Sequence, residues 1–452
     1  MARHPRSRRQ PHPDHCGSPR SVEPAPGPAR SVKSRAAAFV SALALAGILG
    51  GCAADAQTAT TSPSSMTTSV STTTSSTAST SASTTTSAAS GASTTAAASN
   101  TALKSGSWTG TIGDKTITLN AAYIVDGVDA TIDGGTYASA VADQAVFLVV
   151  NGGHLTITNA TITKSGEPAD AASDAYNFYG LNSAVVVVGS TSSVTMSNSK
   201  MTTDSGGSNA VFATAKGTAT LSGVAISTTK DSSRGLDATY EGVITAKDMT
   251  IATKGAHCAT LATDRGNGTV TVTGTNVLTT EGEGSPLVYS TGAITLSGAT
   301  GTAKVSEAVV IEGKNSATIT GSTLSAGGTN AAMLYQSMSG DAADANATSS
   351  GSKLTLTDVS ITHTGTGAVI FATNATTSAV LTRVTVTSSG STNVIAAADR
   401  WGTSGSNGGR LTITLDATKL TGAKADSVSS ITVKAVNSGA LAGATTGSVS
   451  AS

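Results

Sequence analysis

Asn209-Ala-Val-Phe-Ala-Thr214 is followed, after three residues, by Thr218-Ala-Thr-Leu221, and this pair of segments recurs along the chain. The first segment has counterparts at Asp143-Gln-Ala-Val-Phe-Leu-Val-Val150, Gly235-Leu-Asp-Ala-Thr-Tyr240, His257-Cys-Ala-Thr-Leu-Ala262 and Ser285-Pro-Leu-Val-Tyr-Ser290. It continues at Glu307-Ala-Val-Val-Ile-Glu312, Asn330-Ala-Ala-Met-Leu-Tyr335, Gly367-Ala-Val-Ile-Phe-Ala372 and Asn393-Val-Ile-Ala-Ala-Ala398. From Asn209 the starts lie 26, 22, 28, 22, 23, 37 and 26 residues apart, the long interval carrying an insertion at 336–352. The second segment recurs as Thr269-Val-Thr-Val, Ala293-Ile-Thr-Leu, Ala317-Thr-Ile-Thr, Leu354-Thr-Leu-Thr and Leu411-Thr-Ile-Thr. Short alternations bounded by Gly, Ser and Asn are strands. A period of some two dozen residues is that of a solenoid, in which each coil buries its inner face only by stacking on its neighbours. The expected fold is all-β, a right-handed parallel β-helix of roughly ten coils over residues 105–452, with the part after Arg410 capping the stack because an open end leaves strand edges unpaired.

Composition agrees. Aromatics are 3% and charged residues 12% of 452 residues, while Gly alone contributes 49. Such a chain cannot fill a thick globular core, but a thin one lined by Val, Ile, Leu, Ala and Thr suffices for stacked coils. Residues 1–51 hold 8 Lys+Arg and 2 Asp+Glu, leaving 19 basic and 25 acidic from Cys52 onward, a net of −6. That balance argues against nucleic acid as a partner.

Upstream of the repeats, residues 56–100 are almost wholly Thr, Ser and Ala. They cannot bury enough apolar surface to offset chain entropy, so residues 52–104 are expected to form a disordered stalk. Residues 1–51 form a signal region. Arg30, Lys33 and Arg35 precede the apolar run 36–51, which ends at Cys52, a secretory pattern too short for a stable span. The leader is long, and a translation start at Val32 is expected. Leu49-Gly50-Gly51-Cys52 resembles a bacterial lipobox, which implies lipidation of Cys52 and anchoring to the cell membrane. The remaining cysteine, Cys258, then has no partner for a disulfide.

Ser233-Arg-Gly-Leu-Asp237, the stretch Lys254–Gly266, Glu312-Gly-Lys-Asn-Ser316, the stretch Leu334–Asp341 and the stretch Arg400–Gly409 are similar to segments of the pectate-lyase-like superfamily, closest to adhesin-like and carbohydrate-binding surface proteins. The resemblance covers roughly residues 105–445. It implies the fold, and it leaves function open, since one fold hosts many activities.

Stacked coils turn equivalent positions into columns. Aligning the apolar segments puts Thr214, Tyr240, Ala262, Ser290, Glu312, Tyr335, Ala372 and Ala398 in one column, with Glu241, Asp264, Arg265, Lys314, Arg400 and Trp401 just after it. Tyr240, Tyr335 and Trp401 would stack on pyranose rings, while Glu241, Asp264, Arg265, Glu312, Lys314 and Arg400 bond to hydroxyls or carboxylates. The bland alternative is a solvated ridge of paired charges. The favoured function is non-catalytic, adhesin-like binding of carbohydrate or another surface by a monomer. The alternatives are a polysaccharide lyase acting on acidic glycans and a structural spacer without specific ligand.

No catalytic residue is assigned. A lyase would need clustered carboxylates for Ca²⁺, and the candidates are Asp237, Glu241 and Asp264. No other cofactor is implied. His257-Cys258 suggests metal or nucleophile chemistry, but a small buried side chain explains Cys258 better. Binding of ice by a flat threonine array is disfavoured, because the Thr-x-Thr stripes vary in sequence and their spacing is irregular.

Overall fold

The computed structural model describes residues 100–452, apart from 172, 338–350 and 402–406. Cys52, the signal region and nearly all of the expected stalk lie outside the described residues. The described chain folds as a right-handed parallel β-helix. Each coil runs through a strand of a first sheet, a short turn, a strand of a second and a strand of a third. The three sheets have fourteen, thirteen and ten strands; the first two outnumber the roughly ten coils expected and the third equals them.

Alternation builds the core. In the second sheet Ile157, Met196, Leu221, Ala246, Val272, Leu296, Ile319 and Leu356 stack in register, all at most 1% exposed. The residue just before each of these points outward and is threonine: Thr131 (before Ile132), Thr156, Thr195, Thr220, Thr245, Thr271, Thr295, Thr318 and Thr355 pair coil by coil. Parallel strands make this ladder continuous, because identical β-branched residues pack well above one another on a pleated surface.

The corners are held by side chains that replace missing backbone partners. At the corner leading into the first sheet, the Ser208 N–H donates to Ser233 Oγ (3.0 Å), the Ser233 N–H to Cys258 Sγ (3.0 Å) and the Cys258 N–H to Ser285 Oγ (2.9 Å). Cys258 thus stands in a ladder of serines. It is buried as expected, but not at the position of Ala210 and Leu236, where the sequence alignment placed it. Burial pushes its thiol up to about 12, which leaves it inert as a nucleophile.

The register corrects the alignment. Val211, Leu236, Leu261, Val288 and Val309 are vertical neighbours, so coil lengths are 25, 25, 27 and 21 residues. A coil at Val185–Val188, absent from the alignment, pairs with Phe147–Val149 below and Val211–Thr214 above. Residues 410–452, expected to cap the stack, carry the first and second sheets on by further strands.

Two elements depart from the solenoid. Strands β1 (Lys104–Ile112) and β2 (Lys115–Asp126) form an antiparallel hairpin on the edge of the first sheet. A short helix, α1 (Ala175–Tyr179), lies within the long connection between the Thr161–Ser165 and Val185–Val188 strands. Both fold over the outer face of the first sheet.

Candidate functional site

Outward-pointing residues of the first sheet fall into two columns. One holds Leu148, Val186, Phe212, Asp237, Ala262 and Tyr289; the other, by continuation of the register, holds Val188, Thr214, Thr239, Asp264, Thr291, Glu312 and Tyr335. Of the expected column, Thr214, Glu312 and Tyr335 are therefore aligned. Tyr240 instead sits on the turn, Ala262 belongs to the other outward column, and Ser290 points inward. Variable coil length causes the slip, and a shift of one residue exchanges inside for outside.

The lower part of this face is sealed. Leu148, Val186 and Phe212 are fully buried, packed with Ile112 and Leu119 of the hairpin and the largely buried Tyr179 of α1. The Thr239 hydroxyl donates to the Phe178 carbonyl (3.0 Å), and Asn209 Nδ2 to that of Tyr176 (3.3 Å), which fixes α1 across the coils. Gly180 ends the helix at φ +73°, so close to the Phe212 ring that a Cβ would meet it at 2.5 Å. The hairpin tip rests on Tyr240 in the same way: a Cβ on Gly113 (φ +61°) would lie 2.3 Å from the Tyr240 ring.

Under this cover lies a charged cluster. Arg234 Nη2 donates to Asp264 Oδ1 (3.0 Å), and its Nε also contacts that carboxylate. The Asp264 N–H reaches Asp237 Oδ1 at 3.3 Å. Asp237 is 0% and Asp264 3% exposed. Burial, and then the negative charge of Asp264, hold Asp237 well above the usual carboxylate range. Glu312 is equally enclosed. It accepts from Tyr289 Oη and Tyr335 Oη (2.9 Å each) and from Ser337 Oγ. Burial raises its pKa, against those three hydrogen bonds.

The predicted binding residues separate into two groups. Around the turn at Tyr240, a shallow depression of about 340 Å³ is lined by Gly113, Ala215, Lys216, Tyr240, Glu241 and Gly266–Asn267. Tyr240 is half-buried and stacks on Tyr179 (5.7 Å between centroids, 9° between planes). Glu241 is exposed and pairs with Lys216 at 3.5 Å. The Arg265 guanidinium lies 4.6 Å above the Phe178 ring, one position beyond the buried Asp264. The second group lies further along the axis, where Trp401 packs against Tyr335 (4.9 Å) and Arg400 covers Trp401 (4.5 Å). Lys314 is exposed on the turn after Glu312. The coils of Tyr240 and Tyr335 are four steps apart, about 19 Å at the usual strand spacing.

Asp237, Glu241 and Asp264 do not assemble into an oxygen shell for Ca²⁺. Asp264 is engaged by Arg234, and Glu241 sits on the solvent side with Lys216. No three carboxylate, imidazole or thiol groups among the described residues are placed to share a metal ion. Sequence reasoning missed Arg234, Tyr179, Phe178 and Tyr289. Arg234 was legible as a lone basic residue beside an apolar strand, whereas the two residues of α1 come from a distant connection. No described helix is long and apolar enough to cross a membrane. No protein-family model matches the chain, and comparison with curated proteins finds no match.

Proposed function

We propose that this chain is a surface-displayed, non-catalytic binding module: a β-helix of the pectate-lyase-like type, anchored by lipid on Cys52 and held off the membrane by its Ser/Thr-rich stalk. It recognises an extended glycan along the rim of the first sheet. One observation carries the reading. The carboxyl groups that a lyase or hydrolase would need (Asp237, Asp264 and Glu312) are closed off by protein partners, while aromatic rings and charged groups remain within reach of solvent at Tyr240–Glu241 and at Arg400–Trp401. Rings that stack and charges that hydrogen-bond are the elements of sugar recognition. Two such platforms about 19 Å apart suit a chain of several sugar units rather than a single one.

The test is binding of the full chain to a glycan array, followed by titration of any hit. Tyr240→Ala and Trp401→Ala should each weaken the same hit, with circular dichroism verifying that both variants keep the parent's strand content. Absence of any hit, or hits indifferent to both substitutions, would return the molecule to the spacer reading. Products absorbing in the ultraviolet after incubation with acidic polysaccharide would instead establish a lyase.

A further inference from the structure

The second sheet presents a different surface, and we propose that its outer face binds ice, independently of the glycan rim. The nine threonines from Thr131 to Thr355 occupy consecutive coils with no shift of register. Two residues further along each strand runs a second rank, from Asp133 to Thr357, which bears a hydroxyl at every coil except those of Asp133 and Lys247. Neighbouring coils are about 4.8 Å apart and the two ranks about 6.6 Å apart, from ordinary parallel-strand geometry. Such a regular two-dimensional array of hydroxyls can meet the repeating oxygens of an ice surface at many points at once. It extends for roughly 38 Å, eight strand spacings.

Four further observations point to a periodic solid rather than a flexible polymer. The hydroxyls of the central rank have no protein partner among the described residues. Thr131, Thr156, Thr195, Thr220, Thr245 and Thr295 are exposed. Each threonine is also β-branched and lies on a strand whose opposite face is the stacked aliphatic ladder, so rotation of its methyl and hydroxyl is restricted. No aromatic ring occurs in either rank, and Asp133 and Lys247 are the only charged members, so neither sugar stacking nor nucleic-acid binding has its usual handle.

A single hydroxyl contact with ice is weak, but rigidly linked contacts add when their spacing permits simultaneous engagement. The third sheet supplies an internal contrast: its outward positions include Lys200, Ala225, Ala252 and Val277, which break any comparable array. Irregular spacing in the sequence, which argued against ice, resides in the connections. The strands themselves keep register.

The experiment measures thermal hysteresis and partition of the full chain into slowly growing ice. Variants Thr220→Tyr and Thr271→Tyr place a bulky group in the middle of the array, and Thr302→Tyr places the same group on the exposed face of the third sheet. Circular dichroism and urea midpoints verify that all remain folded. The parent and Thr302→Tyr should enter ice and show hysteresis, whereas Thr220→Tyr and Thr271→Tyr should be excluded and show none. Exclusion of the parent from ice, or retention of activity by folded Thr220→Tyr and Thr271→Tyr, overturns the proposal. So does self-association through this face without entry into ice.

Discussion

On the first sheet, Leu148, Val186 and Phe212 point away from the solenoid axis and are nevertheless buried; on the second, Thr156, Thr195 and Thr220 point away from it and are exposed. Both sets belong to the same coils. The difference comes from what the chain lays over each face. The β1–β2 hairpin and α1 cover the lower part of the first sheet, where the outward side chains are large and apolar; Asp237 and Asp264, with Arg234, are charged but equally sealed. Nothing among the described residues covers the outward threonines of the central rank. A solenoid coil thus fixes which way a side chain points, while its insertions decide whether that side chain meets water.

The contrast can be broken most severely at the sealed charges. Asp264→Ala would leave Arg234 buried without its carboxylate, and should cost about 3–5 kcal/mol in urea unfolding. A loss below about 1 kcal/mol would mean that the cluster is solvated, as expected only for an exposed pair. Phe212→Ala should be nearly as damaging, also in the range of about 3–5 kcal/mol, because an outward residue here behaves as core.

Asp237 sharpens the comparison through pH. Its folded-state pKa is raised, chiefly by burial, so its contribution to stability is fully present below its unfolded pKa of about 3.9 and is lost as pH rises through the folded value. Asp237→Asn stays neutral throughout. The stability of the variant relative to the parent should therefore increase as pH rises from about 4; a flat difference would contradict a sealed carboxyl. The smallest effect belongs to the bare face, where Thr245→Ala should change stability by no more than about 0.5 kcal/mol in the same assay.

Much of this architecture was legible in the sequence, because a strand alternation such as Thr269-Val-Thr-Val is local. The burial of Cys258 was legible too, although its place in the serine ladder was not. Register was not, since the coil lengths of 25, 25, 27 and 21 residues let Tyr240 be mistaken for a strand position. Burial of Asp264 and Glu312 was equally hidden. It depends on partners from other coils: Arg234, 30 residues earlier, on Asp264, and Tyr289, Tyr335 and Ser337 on Glu312. The threonine column emerges only when connections of unequal length are set aside.

The most direct test measures the distance between spin labels at Thr156→Cys and Thr355→Cys, with Cys16, Cys52 and Cys258 changed to Ser, a replacement that suits the serine ladder around Cys258. These two positions are seven coil steps apart in one column, so pulsed spectroscopy should give a single narrow distance of about 34 Å. A broad distribution, or a peak displaced by more than one coil spacing, would contradict the stacking on which both faces depend.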